Sequence, residues 1–293
     1  MSSSPFPPSL LEEKYPFFDS LFIIKAKSSE LLLTGVPTFL IFPCVPSSLS
    51  CVIKTSNPPS PGCPSEEKYK HIYNAVLPDT LVWRQSLGNT DILSENYFRH
   101  PAYAEYPVVG VSWEAAKYFC LWRSKMLNEY RKKQGEYILP RFELPSESEW
   151  EWAARGGRAS AKYPWGNPYL SNAKGCLLAN FKPHRGNYDA DGYEYTAPAN
   201  AYSANDYGLY NMAGNVAEWC EDAFVENASA VTWDLNSINR DATNPRKVVR
   251  GGSWKDIGYY LETGTRTFEY EKNKRSYVGF RCVMRYLGRP ASR

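Results

Sequence analysis

Residues 207–224 read YGLYNMAGNVAEWCEDAF. Asn211 and Glu218 offer side-chain oxygens here, and Gly214 between them allows a backbone tight enough for nearby carbonyls to point inward. A hard cation takes about six to eight oxygens at short range, so these are the right donors for calcium. A buried polar network that staples loops together uses the same residue types. On these residues alone both readings stand open.

Beyond this stretch lies a closing segment, VVRGGSWKD…YVGFRCVMR (248–285). Gly251 and Gly252 let two backbones approach closely. Arg250 and Arg281 are candidates for buried, bidentate pairing with carboxylates such as Glu149 or Glu218. Structural staples explain these residues at least as well as substrate contacts do. On the N-terminal side, LPSESEWEWAARGG (144–157) carries a capping box, with Ser146 at the cap and Glu149 three residues later, and Gly156 and Gly157 stop the helix after about two turns. Within 108–133, Ser112 is an N-cap, and Trp113, Ala116, Cys120, Leu127 and Tyr130 recur at near-helical spacing. The remainder, 158–290, is dense in Gly, Pro, Asn, Tyr and Trp, which predicts short strands and long ordered loops. NYDADGYEY (187–195) imitates the start of a calcium loop, but the twelfth position from Asn187 is Pro198 where an EF-hand needs Glu.

Composition bounds the function. The chain has 293 residues and a formal charge of +3, with no basic stripe interleaved with aromatics, which argues against nucleic acid as a partner. The 22 Tyr and 9 Trp suit a loop-rich fold, where their polar tips can satisfy loop carbonyls. Seven Cys without a C-x-x-C pair make a zinc ribbon a poor reading and leave one or two structural disulfides open. Only His71, His100 and His184 are present, and there is no H-E-x-x-H, G-x-S-x-G or P-loop.

The chain changes character near residue 65. Residues 1–64 hold half of the 22 prolines, many Ser and no periodic pattern, and are expected to be a disordered or non-native leader. The apolar run 31–45 is broken by Pro37 and Pro43 and is too short to span a membrane. Cys51 follows Ser-Leu-Ser, a poor lipid-attachment site, and no basic region stands at Met1.

The motifs LPSESEWEWAARGG, YPWGN, ANF…DGYEYTAPA, YGLYNMAGNVAEW, VVRGGSW and GFRC, in this order, resemble the formylglycine-generating enzyme (sulfatase-modifying factor) family over roughly 105–285. The resemblance implies an α+β, C-type-lectin-like fold with few helices, short antiparallel strands and much irregular loop. It implies two calcium sites, one on Asn180, Phe181, Asp191 and Tyr193, the other on Asn211, Gly214, Val216 and Glu218. Phe181, Tyr193, Gly214 and Val216 would give main-chain carbonyls. It also implies a disulfide between Cys120 and Cys282, worth up to about 5 kcal/mol in the chain-entropy model. Active members oxidise a sulfatase-peptide Cys with copper held by two Cys. The resemblance places that pair on Leu261 and Arg266, neither of which supplies a thiolate, so no copper and no catalytic residue are expected.

Three stretches resemble more closely the lipoprotein K family of gliding motility and type IX secretion in Bacteroidetes. They are AVLPDTLVWRQSL (75–87), YFRHPAYAEYPVVGVSW (97–113) and RGGSWKDIGYYLETGTRTFEYEKNKRSYVGFRCV (250–283). The match covers about 65–293 and implies a domain that lacks its usual N-terminal part. It implies a non-catalytic scaffold at the periplasmic face of the outer membrane, touching the membrane only through a lipid anchor that this chain does not display. Its partners would be a ring-forming protein, N, and further copies of itself. Aromatics around Tyr97–Tyr106 and Phe268–Tyr277 would then be interaction surface. A formylglycine-generating oxidoreductase and a sugar- or peptide-binding module are the alternatives on the same fold.

Overall fold

The computed structural model describes residues 40–42, 76–84, 91–183, 189, 192–228 and 237–284. His71, His184 and the calcium candidate Asp191 lie outside the described residues, as does the leader except for one strand.

The main helix of the fold begins where its cap signal stands. Ser112 Oγ accepts the Ala115 amide, and the helix runs Trp113–Lys133. A shorter helix precedes it, so the two are α1 (Asp91–Asn96) and α2 (Trp113–Lys133). Glu147–Arg155 forms α3 with both halves of the capping box made, and Gly156 closes it at φ 60°. The first two turns of α2 bury Ala115, Ala116, Phe119 and Cys120. Its final turns leave Tyr130 exposed, contrary to the periodicity reading. Helical spacing marks a face, and that face stays on the core as far as Leu127 but not to Tyr130.

Among the described residues, seven strands make two small sheets: β1 (Leu40–Phe42), β2 (Phe142–Glu143), β3 (Ala217–Ala223), β4 (Arg246–Arg250), β5 (Thr267–Tyr270), β6 (Val278–Phe280) and β7 (Cys282–Met284). One sheet has the order β1-β7-β2 and the other β5-β4-β3-β6. β1 falls within the expected leader and pairs antiparallel with β7, Leu40 opposite Met284. The expectation of antiparallel strands needs one correction, because β3 and β6 pair in parallel, Ala217 opposite Val278. The chain leaves β5 at one edge and crosses to the far edge without reversing, so β6 enters beside β3 in the same direction.

The largest core cluster joins Ala116, Phe119 and Cys120 of α2 to Trp219, Val249, Val278 and Phe280 of the sheet. Two indole N–H groups tie the layers together: Trp219 Nε1 donates to the Val111 carbonyl and Trp113 Nε1 to that of Cys220. A second cluster gathers Trp83, Tyr97, Val109 and Val216, with Tyr103, Tyr106, Tyr195 and Trp254 packed against it. The expected surface role fails for Tyr97, while Phe98, Tyr103 and Tyr106 are half-buried. Tyr97 is buried, and its hydroxyl donates to the Pro107 carbonyl at 2.6 Å. Phe268 and Tyr270 do stand exposed on β5.

Candidate functional site

The segment 207–224 delivers its polar groups to the junction of β3, α3 and the two-glycine turn after β4. Asn211, Gly214 and Asn215 have positive φ (51°, 75° and 67°), as do Gly251 and Gly252 (90° and 66°). Non-glycine residues seldom adopt this conformation, and Asn tolerates it best. Here close approach requires it. A Cβ on Gly214 would stand 2.4 Å from the Asn180 carbonyl oxygen, and one on Gly252 would stand 2.8 Å from that of Tyr260. The Gly214 amide donates to the Gly251 carbonyl, and the Asn215 amide to that of Asn180. Asn215 then mimics a peptide group toward Ala197, accepting its amide and donating to its carbonyl, both at 2.9 Å. Asn215 is a site residue that the sequence reading passed over. Its position beside a glycine in a tight loop is the signal that could have found it.

Glu218 sits on β3 and is almost fully buried. Arg281 grips it with two bonds of 2.5 Å, and Trp150 Nε1 donates to Oε2 at 2.7 Å. The carboxylate is fully bonded, as a buried ion pair requires, and Arg281 Nη2 also donates to the Tyr210 carbonyl, while Arg281 Nη1 is buried with no hydrogen-bond partner among the described residues. The expected pairing of Arg281 with Glu218 is borne out. That of Arg250 is corrected: its guanidinium binds Glu151, Glu147 at 3.3 Å and the Thr263 and Thr265 carbonyls, not Glu149 or Glu218. Glu149 is spent on its own helix cap, accepting the Ser146 amide.

The two expected calcium sites interlock, because Asn180 of the first packs on Gly214 of the second. Asn180 also donates its side-chain N–H to the Tyr195 carbonyl, Phe181 is buried, and Tyr193 is described without Asp191 beside it. At the second site, Asn211 donates to the Pro198 and Ala199 carbonyls, while its Oδ1 is buried and has no hydrogen-bond partner among the described residues. An orphaned buried acceptor of this kind fits an oxygen-seeking cation. Val216 is buried at the start of β3. Glu218 fits less well, since both of its oxygens already hold donors and it would share its charge with Arg281.

The stretch 251–266 forms the neighbouring wall. Ser253 donates its hydroxyl and its amide to Asp256 Oδ2 at 2.6 and 3.0 Å, closing a tight turn. Leu261 is wholly buried among Tyr163, Ala179, Phe181 and Ala213. Arg266 makes a two-pronged pair with Glu147 and donates to the Val225 carbonyl at 2.8 Å. That pair holds the Arg266 guanidinium above its ordinary pKa, against the opposing effect of burial. No cysteine stands anywhere from Gly251 to Arg281. Cys220, on β3, is a buried thiol whose pKa burial pushes well up. Cys120 and Cys282, the pair the resemblance implies as a disulfide, come together in the core with their sulfurs 3.3 Å apart. His100 caps the short turn Pro101–Tyr103, its Nδ1 accepting the Ala102 amide, and plays a local structural part. Among the described residues there is no group of three or more His, Cys, Asp or Glu placed to hold a metal.

Few helices, short mixed sheets, long ordered loops and a glycine-turned polar centre define a formylglycine-generating-enzyme-like α+β domain. The chain belongs to the sulfatase-modifying factor enzyme 1-like domain family, whose model matches residues 66–286. It is 32% identical over 218 residues to the "Inactive C-alpha-formylglycine-generating enzyme 2" of Bos taurus, covering 72% of this chain and 58% of that protein. It is 35% identical over 186 residues to the "Formylglycine-generating enzyme" of Thermomonospora curvata, covering 61% of this chain and 55% of that one. The solved structure of PvdO from Pseudomonas aeruginosa aligns with a TM-score of 0.49 and 25% identity over 62% of each chain. The chain spans a little over half the length of the two curated relatives. The family thus holds both inactive and active formylglycine-generating proteins.

Proposed function

We propose that this chain is a non-catalytic structural subunit of a gliding-motility and type IX secretion machine, held at the periplasmic face of the outer membrane. The observation that carries the non-catalytic part is the wall 251–281. It contains no sulfur, Leu261 is sealed in the core, and Arg266 is committed to Glu147. Copper–thiolate oxidation needs a pair of thiolates as ligands. The nearest buried thiols lie on other elements and face the core.

The choice of machine rests on segments 75–87, 97–113 and 250–283, which resemble lipoprotein K. Its partners would be the ring-forming protein N and other copies of this chain. Calcium is proposed as a structural ion at Asn211, where the orphaned Oδ1 would meet it and the carbonyls of Gly214 and Val216 could complete a shell of oxygens. Its role is to bind the loops together, and no reaction step passes through it. A Cys120–Cys282 disulfide would serve the same purpose in an oxidising compartment.

The catalytic question has a direct test. Purified full-length chain is incubated with copper, a thiol reductant, oxygen and a Cys-containing sulfatase peptide, and the peptide is weighed by mass spectrometry. The expected result is an unchanged peptide. Conversion of its Cys to formylglycine would return the protein to the enzymes.

A further inference from the structure

The C-terminal end of α2 and the chain that returns from it form a tip unlike the rest of the surface. Tyr137 is 92% exposed, Ile138 67% and Tyr130 59%. Lone exposed apolar residues need no explanation, but three large ones within nine positions do. This tip is also held firmly. Arg131 Nε donates to the Tyr137 carbonyl at 2.7 Å and its guanidinium pairs with Glu136 at 2.8 Å. Asn128 both donates to the Leu139 carbonyl and accepts the Leu139 amide, each at 2.9 Å. The amides of Gln134, Gly135 and Glu136 return to the carbonyls of the last helical turn. The fold therefore builds a well hydrogen-bonded turn around side chains that are mostly exposed.

The charges beside it lean to the basic side. Lys125 stands near Glu129 and Arg131 pairs with Glu136, while Lys132 and Lys133, both exposed, have no ion-pair partner among the described residues. The combination matches a bilayer interface. Tyrosine rings favour the headgroup level, an isoleucine favours the acyl boundary, and lysine reaches anionic phosphates. The unpaired lysines favour an anionic surface over an uncharged groove.

We propose that the 130–138 tip is a peripheral contact for an anionic membrane surface, with Tyr137 and Ile138 entering the interface and Lys132 and Lys133 facing the phosphates. This inference is independent of the secretion role and of any lipid anchor.

The test is co-sedimentation of the full chain with vesicles of phosphatidylcholine containing phosphatidylglycerol, against phosphatidylcholine alone. The wild type should bind the anionic vesicles, and binding should collapse as salt is raised, because exposed charges are screened. The Tyr137→Ser/Ile138→Ser and Lys132→Gln/Lys133→Gln pairs should each weaken binding about tenfold, the first by lost apolar burial and the second by lost attraction. Their thermal midpoints should match the wild type, since all four side chains are exposed. Absence of wild-type binding, or binding that both variants keep in full, overturns the proposal. So does a result in which the variants lose a co-purifying protein but not the vesicles, which would assign the tip to a protein groove.

Discussion

At the scale of single residues, the buried Glu218–Arg281 pair is the hinge of the account. Both side chains are nearly inaccessible, and Trp150 completes the carboxylate's bonds. Removing one partner strands the other charge in the core. Arg281→Met should therefore cost about 3–5 kcal/mol, read by denaturant unfolding, and adding Glu218→Met should recover part of that loss. A result of under about 1 kcal/mol for the single variant would show the pair to be solvated. The same scale shows what the sequence could and could not say. Arg281 with Glu218 was legible because each is a lone charge between apolar neighbours, Phe280 and Cys282 for the one, Ala217 and Trp219 for the other. Arg250 was assigned wrongly among the glutamates of α3. Glu147 and Glu151 lie one turn apart and share a face, while Glu149 points elsewhere and caps the helix. Helical spacing held the answer, but proximity in sequence obscured it. Asn211 is the other residue that matters here. If a cation meets its orphaned Oδ1, added calcium should raise the melting temperature and a chelator lower it, and Asn211→Ala should remove that response. A calcium-insensitive wild type would leave the buried oxygen as an uncompensated acceptor.

At the scale of elements, the caps of α2 and α3 were plain from the sequence because capping is local chemistry. Ser146→Ala should cost about 1 kcal/mol by the same unfolding measurement. The turn between β5 and β6 shows a different dependence. Burial raises the pKa of Glu269, but Arg275, Asn273 and the Tyr270 amide outweigh it and hold the carboxyl below its usual value. Burial and the same carboxylate push the Tyr277 hydroxyl up to about 12. A depressed carboxylate pKa stabilises the folded state above the unfolded value and is lost as pH falls through the folded value. Between roughly pH 6 and 3 the wild type should therefore lose more thermal stability than Glu269→Gln, whose side chain does not titrate. Equal slopes would remove Glu269 from the acid response. What the sequence could not show is which aromatics these elements would cover. Tyr97 and Tyr130 look alike in their local patterns, yet one is sealed beneath Trp83 and the other stands in solvent. Burial is set by which distant strand arrives overhead, and no short window contains that information.

At the scale of the whole molecule, family and architecture were legible from six ordered motifs, since each marks a turn, cap or close approach that the fold requires. The parallel β3–β6 pair was not, because strand direction depends on how a connection crosses the sheet. Sulfur accessibility gives a check on the whole packing. In the native state an alkylating reagent should modify Cys176, which is exposed, and leave Cys220 unmodified until unfolding and Cys120 and Cys282 unmodified until unfolding with a reductant, as peptide mass mapping would show. Early labelling of Cys220 would mean that the core opens at the very strand carrying Glu218. The central claim concerns assembly, and it is tested most directly by the size of the complex that holds this chain after gentle detergent extraction from its native envelope, with co-migrating proteins identified by mass. A very large particle containing several copies of the chain and a second secretion component is expected. A lone monomer from the intact envelope would contradict it.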